Sequence, residues 1–314
     1  MYPSVSIIVL NYNGRQHLEY CLPSILATDY PNFSVIVVDN HSTDDSVAYM
    51  LEHHADIQLL STDANLGWAG GNNLGIECAL TQGAEYVLLA NNDIRVHPQW
   101  VRSAVQASAS DPHIGLVGFH VIGAMHPGCL EAFRLACEQW DGNAWSSTEF
   151  VHGMALFTKA EVLTEIGLFD PDFFFYGEEN DFELRAQTAG YCMVETNVPV
   201  WHHSQGTSAR TPIRSSYFAM RNTLRYTIKN QSFFQVLRIL CILLHTSCNP
   251  FFVGDRDNVC IRRLRPRNPA FNALLLCAAL IWNVLFLPVT LRARCHDRGR
   301  ALEARRRRRN PCAE

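Results

Sequence analysis

Four short apolar, β-branched runs recur along the first part of the chain: VSIIVL (5–10), FSVIVVD (33–39), IQLLS (57–61) and YVLLAN (86–91). IGLVGF (114–119) is a fifth candidate. Helix-like segments lie between most of them, over 15–27, 44–53, 72–82 and 99–110. Continuous apolar strands alternating with helices predict an α/β fold, a mostly parallel sheet with helices on both faces. Such sheets bind ligands outside the carboxyl ends of their strands. The polar clusters fall there: NYNG (11–14), DNHSTDDS (39–46) and NND (91–93).

Beyond residue 120 the rhythm breaks, and residues 120–150 show no clear period. A strand is expected over VHGMALF (151–157), a helix over 159–166, and another over YFAMRNTLRYTIKN (217–230). Two apolar segments follow. FFQVLRILCILLH (233–245) is too short to span a bilayer, whereas ALLLCAALIWNVLFLPVTL (273–291) nears the ~20 residues a span needs. It contains Asn283 and Pro288 and is flanked by Arg265, Arg267, Arg292 and Arg294. A packed or interfacial helix is favoured over a span, and both readings place the chain at a membrane.

Composition adds two points. With 314 residues, 48% hydrophobic and 18% charged, this is ordinary globular material, enough for one large domain or two smaller ones. The start lacks a basic region and a cleavage site, so a cytosolic beginning is expected. The eleven cysteines form no CxxC pair; they are expected to be reduced and mostly packed as small apolar groups, with no zinc site. The net charge of −4 hides an asymmetry: residues 1–255 hold 12 Lys/Arg and 26 Asp/Glu, and residues 256–314 hold 14 Arg and 4 Asp/Glu. A tail ending in RRRRR (305–309) beside apolar helices suits an anionic membrane surface. No nucleic-acid motif accompanies it, so nucleic acid is not expected as a partner.

Four clusters carry candidate chemistry, each with a plainer alternative. Asp39, at a strand end, can accept a ligand N–H, such as the N3–H of uracil or thymine; it can also begin the next helix. NLGWAGGNNLG (65–75) lets the backbone approach a ligand, with a helix expected near Asn72 to aim N–H groups at an anion; glycines also mark ordinary turns. NND (91–93) could hold Mg²⁺ or Mn²⁺ on a diphosphate, or be a polar turn. In WHHSQGTS (201–208), alternation along a strand lets one of His202 and His203 reach the site.

In this order, and joined by HGMALFTKAEVLTEIGLFDPDFFFYGEENDFELR and YFAMRN, these motifs resemble the family-two inverting glycosyltransferases, particularly the bacterial rhamnosyltransferase-like members. The likeness covers roughly residues 4–230. It implies the nucleotide-sugar glycosyltransferase A-type fold, with a donor half (1–120), an acceptor and catalytic half (121–230) and a helical, basic C-terminal region (231–314). It implies donor contacts from Asn11, Tyr12, Asp39, Asn65, Gly67, Gly70, Gly71, Asn72, Asn91 and Asn92. It implies Mg²⁺ or Mn²⁺ on Asp93 and His202, with His203 as the fallback. NND departs from the family's Asp-rich form, leaving ligation to one carboxylate. The donor would be a dTDP- or UDP-sugar, rhamnose first, and the acceptor a glycan or lipid-linked hydroxyl at the inner face of the cell membrane. A sugar nucleotidyltransferase and a non-catalytic sugar-binding scaffold are the alternatives.

The stretch FFFYGEENDFELR (173–185) sets aromatics against acids. The resemblance puts the catalytic base on Glu179, with Glu178 and Asp181 as the other acids of the motif. Glutamate stands where the family usually has aspartate, one methylene longer. Helical spacing pairs Asp181 with Arg185. At a helix start the dipole favours ionised Glu178 and Glu179, and the aromatics oppose it.

Overall fold

The computed structural model describes residues 2–123, 130–203, 211–248 and 268–309. Its strands are β1 (Val5–Asn11), β2 (Phe33–Asp39), β3 (Gln58–Ser61), β4 (Tyr86–Asn91), β5 (Ile94–Val96), β6 (Ile114–Ile122), β7 (Trp145–Ser147), β8 (Ala155–Lys159) and β9 (Cys192–His202). They make one sheet in the order β3-β2-β1-β4-β8-β6-β9-β5, with β7 also pairing β9. The apolar runs became β1 to β4, and these pair in parallel. The rest departs from a mostly parallel sheet. β8 inserts between β4 and β6, antiparallel to both, and β9 runs parallel to β6 but antiparallel to β5 and β7. Two-sided burial looks the same in sequence for either strand direction, so hydrophobicity could not distinguish them.

One face of the sheet packs on α1 (Arg15–Leu26) and α4 (Trp100–Ser110), through Leu18, Leu22, Ile25, Trp100 and Ala104. The other packs on α3 (Gly67–Thr81), α6 (Ala160–Ile166) and α7 (Glu178–Thr188), through Ile76, Leu163, Phe169 and Phe182. The remaining helices are α2 (Ser46–His53), α5 (Leu130–Gln139), α8 (Pro212–Asn230), α9 (Phe233–Cys248), α10 (Pro269–Leu285) and α11 (Leu287–Arg309). α5 and β7 occupy a stretch without periodicity.

Three local expectations need correction. α3 begins at Gly67, not near Asn72, so most of the glycine-rich stretch is helix rather than loop. Its glycines serve close packing: a side chain at Gly71 would meet Leu10 at 2.5 Å and Asn40 at 3.1 Å. Only Gly67 in that stretch has a positive φ, +75°. The 273–291 segment is two helices, α10 and α11, bent by 63°; no single described helix is long and apolar enough to cross a membrane. Of the eight described cysteines only Cys21 is buried, and five are exposed, against the expectation of packed thiols.

α7 is anchored by a buried charge cluster. Lys229 Nζ, on α8, lies 2.8 Å from Asp170 Oδ2, 2.9 Å from Asp181 Oδ2 and 2.7 Å from Asp297 Oδ2. Arg225, one turn earlier, reaches Asp170 at 2.9 Å and Asp172 at 2.8 Å. Arg185 pairs with Asp181 at 3.0 Å, the expected i,i+4 contact, and donates to the carbonyls of Ile166, Gly167 and Leu168. The three carboxylates of Asp170, Asp181 and Asp297 lie close enough to hold a cation, but the Lys229 ammonium touches all three. Burial disfavours charged Lys229, and the pull of Asp181 and Asp170 reverses this, raising its pKa above the ordinary lysine value. The ammonium therefore joins α7, α8, α11 and the segment before the 3₁₀ turn Pro171–Phe173 at one point.

Removing one partner of such a cluster leaves buried charge uncompensated, at a cost of about 3–5 kcal/mol. Lys229→Met is thus expected to lower the melting temperature strongly, whereas Arg15→Met, which breaks an exposed pair with Glu19, should cost about 0–1 kcal/mol. Chemical denaturation of both variants checks this.

Candidate active site

The strand ends assemble a hydrogen-bonded polar edge. Register places Asn11 beside Asp39, and Leu10 beside Asn91. Asn11 Nδ2 donates to Asp39 Oδ1 at 3.0 Å, and its Oδ1 accepts from Asn92 Nδ2 at 2.6 Å. Asp39 Oδ2 accepts from the Ser42 backbone at 3.0 Å. Asp39 does not begin α2, whose N-cap is Asp45; each of its oxygens keeps a second lone pair for a ligand donor. Tyr12 sits half-buried in the turn after β1. Asn65 Oδ1 accepts from Gly67 N at 2.8 Å, fixing the entry to α3. Asn72 is buried, donates to the Trp68 carbonyl, and its Oδ1 has no hydrogen-bond partner. Gly70 and Gly71 lie inside the helix and touch Leu66, Leu10 and Asn40. They therefore stand one layer behind Asn65 and Gly67.

Asp93 follows this edge and is 5% exposed. His202 Nε2 stands 3.2 Å from its buried Oδ1. Burial pushes the Asp93 carboxyl up, and His202 and His17 together pull it below the usual range. His203 turns elsewhere, toward His17 and Trp201, with ring centroids 5.4 and 5.5 Å away. Ser204 to Ser208 of the WHHSQGTS motif lie outside the described residues. A buried carboxylate beside an imidazole nitrogen is a donor set that fits Mg²⁺ or Mn²⁺.

The acids of FFFYGEENDFELR occupy the first turn of α7 behind Gly177, whose φ is +91°. Asp181 is fully buried in the Lys229 cluster and also accepts from Asn230 at 2.9 Å, so it faces away from any substrate and acts structurally. Glu178 is 3% exposed; burial, then repulsion from Glu179, raises its pKa well above the usual glutamate value. Glu183 is also buried. It accepts from the Val151 backbone N–H at 2.8 Å, and burial, reinforced by Glu179, pushes it up to about 9. Of these glutamates, Glu183 is therefore neutral near pH 7. Glu179 alone is half-exposed. It adjoins the donor edge through Gly153: a methyl there would stand 3.3 Å from the Trp68 ring and 3.7 Å from Glu179 Cβ. Trp68 Nε1 in turn donates to Asn91 Oδ1 at 3.0 Å.

The backbone leading into α7 is held from outside. Phe174 and Tyr176 have φ of +64° and +76°, conformations that cost non-glycine residues free energy. Asn222 Nδ2 donates to the carbonyls of Phe173, Phe175 and Tyr176 at 2.7, 2.8 and 2.7 Å. Arg221 donates to the carbonyls of Asp172 and Phe173, and the Phe174 carbonyl accepts from Trp68 N at 2.6 Å. Trp68, Gly153, Glu183, Arg221 and Asn222 were not singled out from sequence. YFAMRN was visible as a motif, but its hydrogen bonds to a distant loop were not.

The parallel β1–β4 edge within a mixed sheet, covered by helices on both faces, is the glycosyltransferase A-type fold, and the chain is a glycosyltransferase. Residues 6–128 match the model of glycosyl transferase family 2, in keeping with the resemblance to rhamnosyltransferase-like members read from the sequence. It is 26% identical over 254 residues to an N-acetylglucosaminyl-diphospho-decaprenol L-rhamnosyltransferase of Mycobacterium tuberculosis, covering 70% of this chain and 82% of that one. It is also 26% identical over 230 residues to a low-salt glycan biosynthesis hexosyltransferase of Haloferax volcanii, covering 69% and 72%. Among solved structures, a Pyrobaculum calidifontis mannosyltransferase in complex with GDP-Man and Mn²⁺ superposes with a TM-score of 0.55 at 20% identity. That match covers 98% of this chain and 87% of the other.

Because Glu183 holds its proton in the folded state up to about pH 9 and loses it unfolded near about 4.3, it makes stability fall as pH rises across that window. Glu183→Gln keeps the acceptor for Val151 and removes this term. The variant should gain melting temperature over wild type between about pH 5 and about pH 8.5. Parallel curves in a pH series of thermal melts would contradict the buried neutral acid.

Proposed function

We propose that the protein is a metal-dependent inverting glycosyltransferase that moves a sugar from a dTDP- or UDP-sugar, rhamnose first, to a hydroxyl of a glycan or lipid-linked acceptor in surface polysaccharide assembly. Residues 1–120 bind the donor and 121–230 bind the acceptor and supply the base. The observation that carries this reading is Glu179, the one half-exposed glutamate of α7, set across Gly153 and Trp68 from the Asn91–Asp93 strand end.

Asp39 accepts the pyrimidine N3–H and Tyr12 lies beside the base. Asn11, Asn65, Gly67, Asn72, Asn91 and Asn92 line the nucleoside and diphosphate, with Gly70 and Gly71 behind them. Asn72 Oδ1 is already desolvated and without a partner, so a ligand donor there satisfies it. Asp93 and His202 would hold Mg²⁺ or Mn²⁺, whose charge offsets that developing on the departing diphosphate. Glu179 takes the proton from the acceptor hydroxyl as its oxygen bonds to the anomeric carbon and the bond to the diphosphate breaks. Opposite faces of one carbon are used, so the configuration inverts. Neutral Glu183 adds no competing charge beside that base.

A sugar nucleotidyltransferase would need a cation free for triphosphate after the first strand. Arg15 instead contacts Glu19 at 2.7 Å and covers the Tyr49 ring at 3.7 Å. A lipid-linked acceptor is supported by a cavity of about 490 Å³ lined by Ile213, Arg214, Tyr217 and Leu275, which joins an apolar wall to one guanidinium. Arg214 stacks over Phe174, in the loop that leads to the base, with 5.0 Å from guanidinium to ring. Together with the basic C-terminal region, this supports the reading of an enzyme working at the inner face of the cell membrane.

Glu179→Gln is expected to lower turnover by about 10²- to 10⁴-fold while the donor's dissociation constant, by calorimetry, stays unchanged. Near-normal turnover in that variant would move the base elsewhere. Asp93→Asn should instead abolish the response of donor binding to added Mn²⁺, read by the same titration.

A further inference from the structure

α10 is inside-out for a helix in water. Its two polar side chains, Asn272 and Asn283, are 1% and 4% exposed. Asn283 turns inward to donate to the carbonyls of Arg221 and Ala279. Every exposed position from Pro269 to Leu285 is apolar, including Leu274 at 66%, Ile281 at 61%, Val284 at 69% and Leu285 at 71%. A water-facing helix shows the reverse pattern. α9 continues the surface beside it. Phe234, Leu237, Cys241, Leu244 and Cys248 are all exposed and recur at three- and four-residue steps, a single stripe. The two helices pack on each other and on α8.

We propose that this α9–α10 face lies in the surface of an anionic lipid bilayer, entering the hydrocarbon without crossing it. The inference rests on the membrane location proposed above and not on glycosyl transfer. Three observations select the bilayer. The 63° bend between α10 and α11 prevents a straight span. The exposed side of α10 carries no polar rim of the kind a protein partner meets. Beyond Leu291 the chain turns basic at Arg292 and Arg298, both exposed; these would attract anionic headgroups and repel a second copy's like-charged helix. An amphipathic element with aromatic and aliphatic residues on one side and arginine at the border is the arrangement that seats at an interface. Contiguous apolar surface of this extent is otherwise uncommon on soluble chains.

The test is sedimentation of the full chain with phosphatidylcholine vesicles, with and without phosphatidylglycerol, while nucleotide-sugar binding is measured in parallel. Wild type should pellet with the mixed vesicles, less with phosphatidylcholine alone, and less in high salt. Ile281→Asn with Leu285→Asn should weaken vesicle partitioning by about tenfold or more and leave nucleotide-sugar affinity unchanged. The proposal is overturned if wild type stays in solution with both vesicle types. It is equally overturned if the paired variant binds as well as wild type, or if the face instead forms a dimer that the variant dissolves. Loss of nucleotide-sugar binding with vesicle binding intact would count against the enzymatic reading alone.

Discussion

The Lys229 ammonium, enclosed by Asp170, Asp181 and Asp297, is the contact on which the placement of the active-site helix depends. Its partners come from α7, α11 and the segment entering the 3₁₀ turn, so one group fixes three elements against α8. Burying ions is costly, and apolar residues of similar volume would often stabilise as well. What the ions add is direction. A carboxylate cage has one geometry in which all three oxygens reach the ammonium, and Arg225 and Arg185 extend it to Asp172 and to the loop carbonyls at 166–168. Apolar packing tolerates sliding, and a base that must meet a hydroxyl within hydrogen-bond distance does not.

The first turns of α7 are built on the opposite principle. There burial dominates: it raises the Glu178 and Glu183 carboxyls well above the usual glutamate range, with Arg221 offsetting only part of the effect at Glu178. Four residues after Glu178, Phe182 packs on Phe169. One helix thus holds Asp181, paired with Lys229 and Arg185, and two desolvated glutamates within two turns. The strand-end edge of β1, β2 and β4 carries the amides Asn11, Asn91 and Asn92, with the carboxyls of Asp39 and Asp93 among them. Positive φ at Phe174 and Tyr176 is tolerated because Asn222 and Arg221 bind the carbonyls of that loop. Strain and its restraint therefore stand directly before the proposed base.

Much of this was legible in the sequence because strand ends coincide with changes of polarity. Asn11, Asp39 and Asp93 each follow an apolar run, and parallel register brings the first two side by side. The start of α3 was not legible. Glycine disfavours helix locally, and close packing of Gly71 on Leu10 and Asn40 overrides that preference. β8 was misplaced by four residues because VHGM continues the apolar run while serving as the turn that carries Gly153. The role of Lys229 was not legible either, since its partners come from three separate elements. Glu183 read as one more solvated acid of an amphipathic helix, and only the fold reveals that it is buried against Val151. Asn283 appeared as a defect in an apolar run, whereas it is a polar anchor on the inner side of α10.

The central claim is that one carboxylate, Glu179, serves a direct displacement on a sugar held by the β1–β4 edge. The stereochemistry of the product tests it most directly. Proton NMR of the glycoside formed from dTDP-rhamnose, or from the UDP-sugar that proves active, in the presence of Mn²⁺ should show an anomeric configuration opposite to that of the donor. A product that keeps the donor's configuration would contradict the account, because one base acting once cannot produce it.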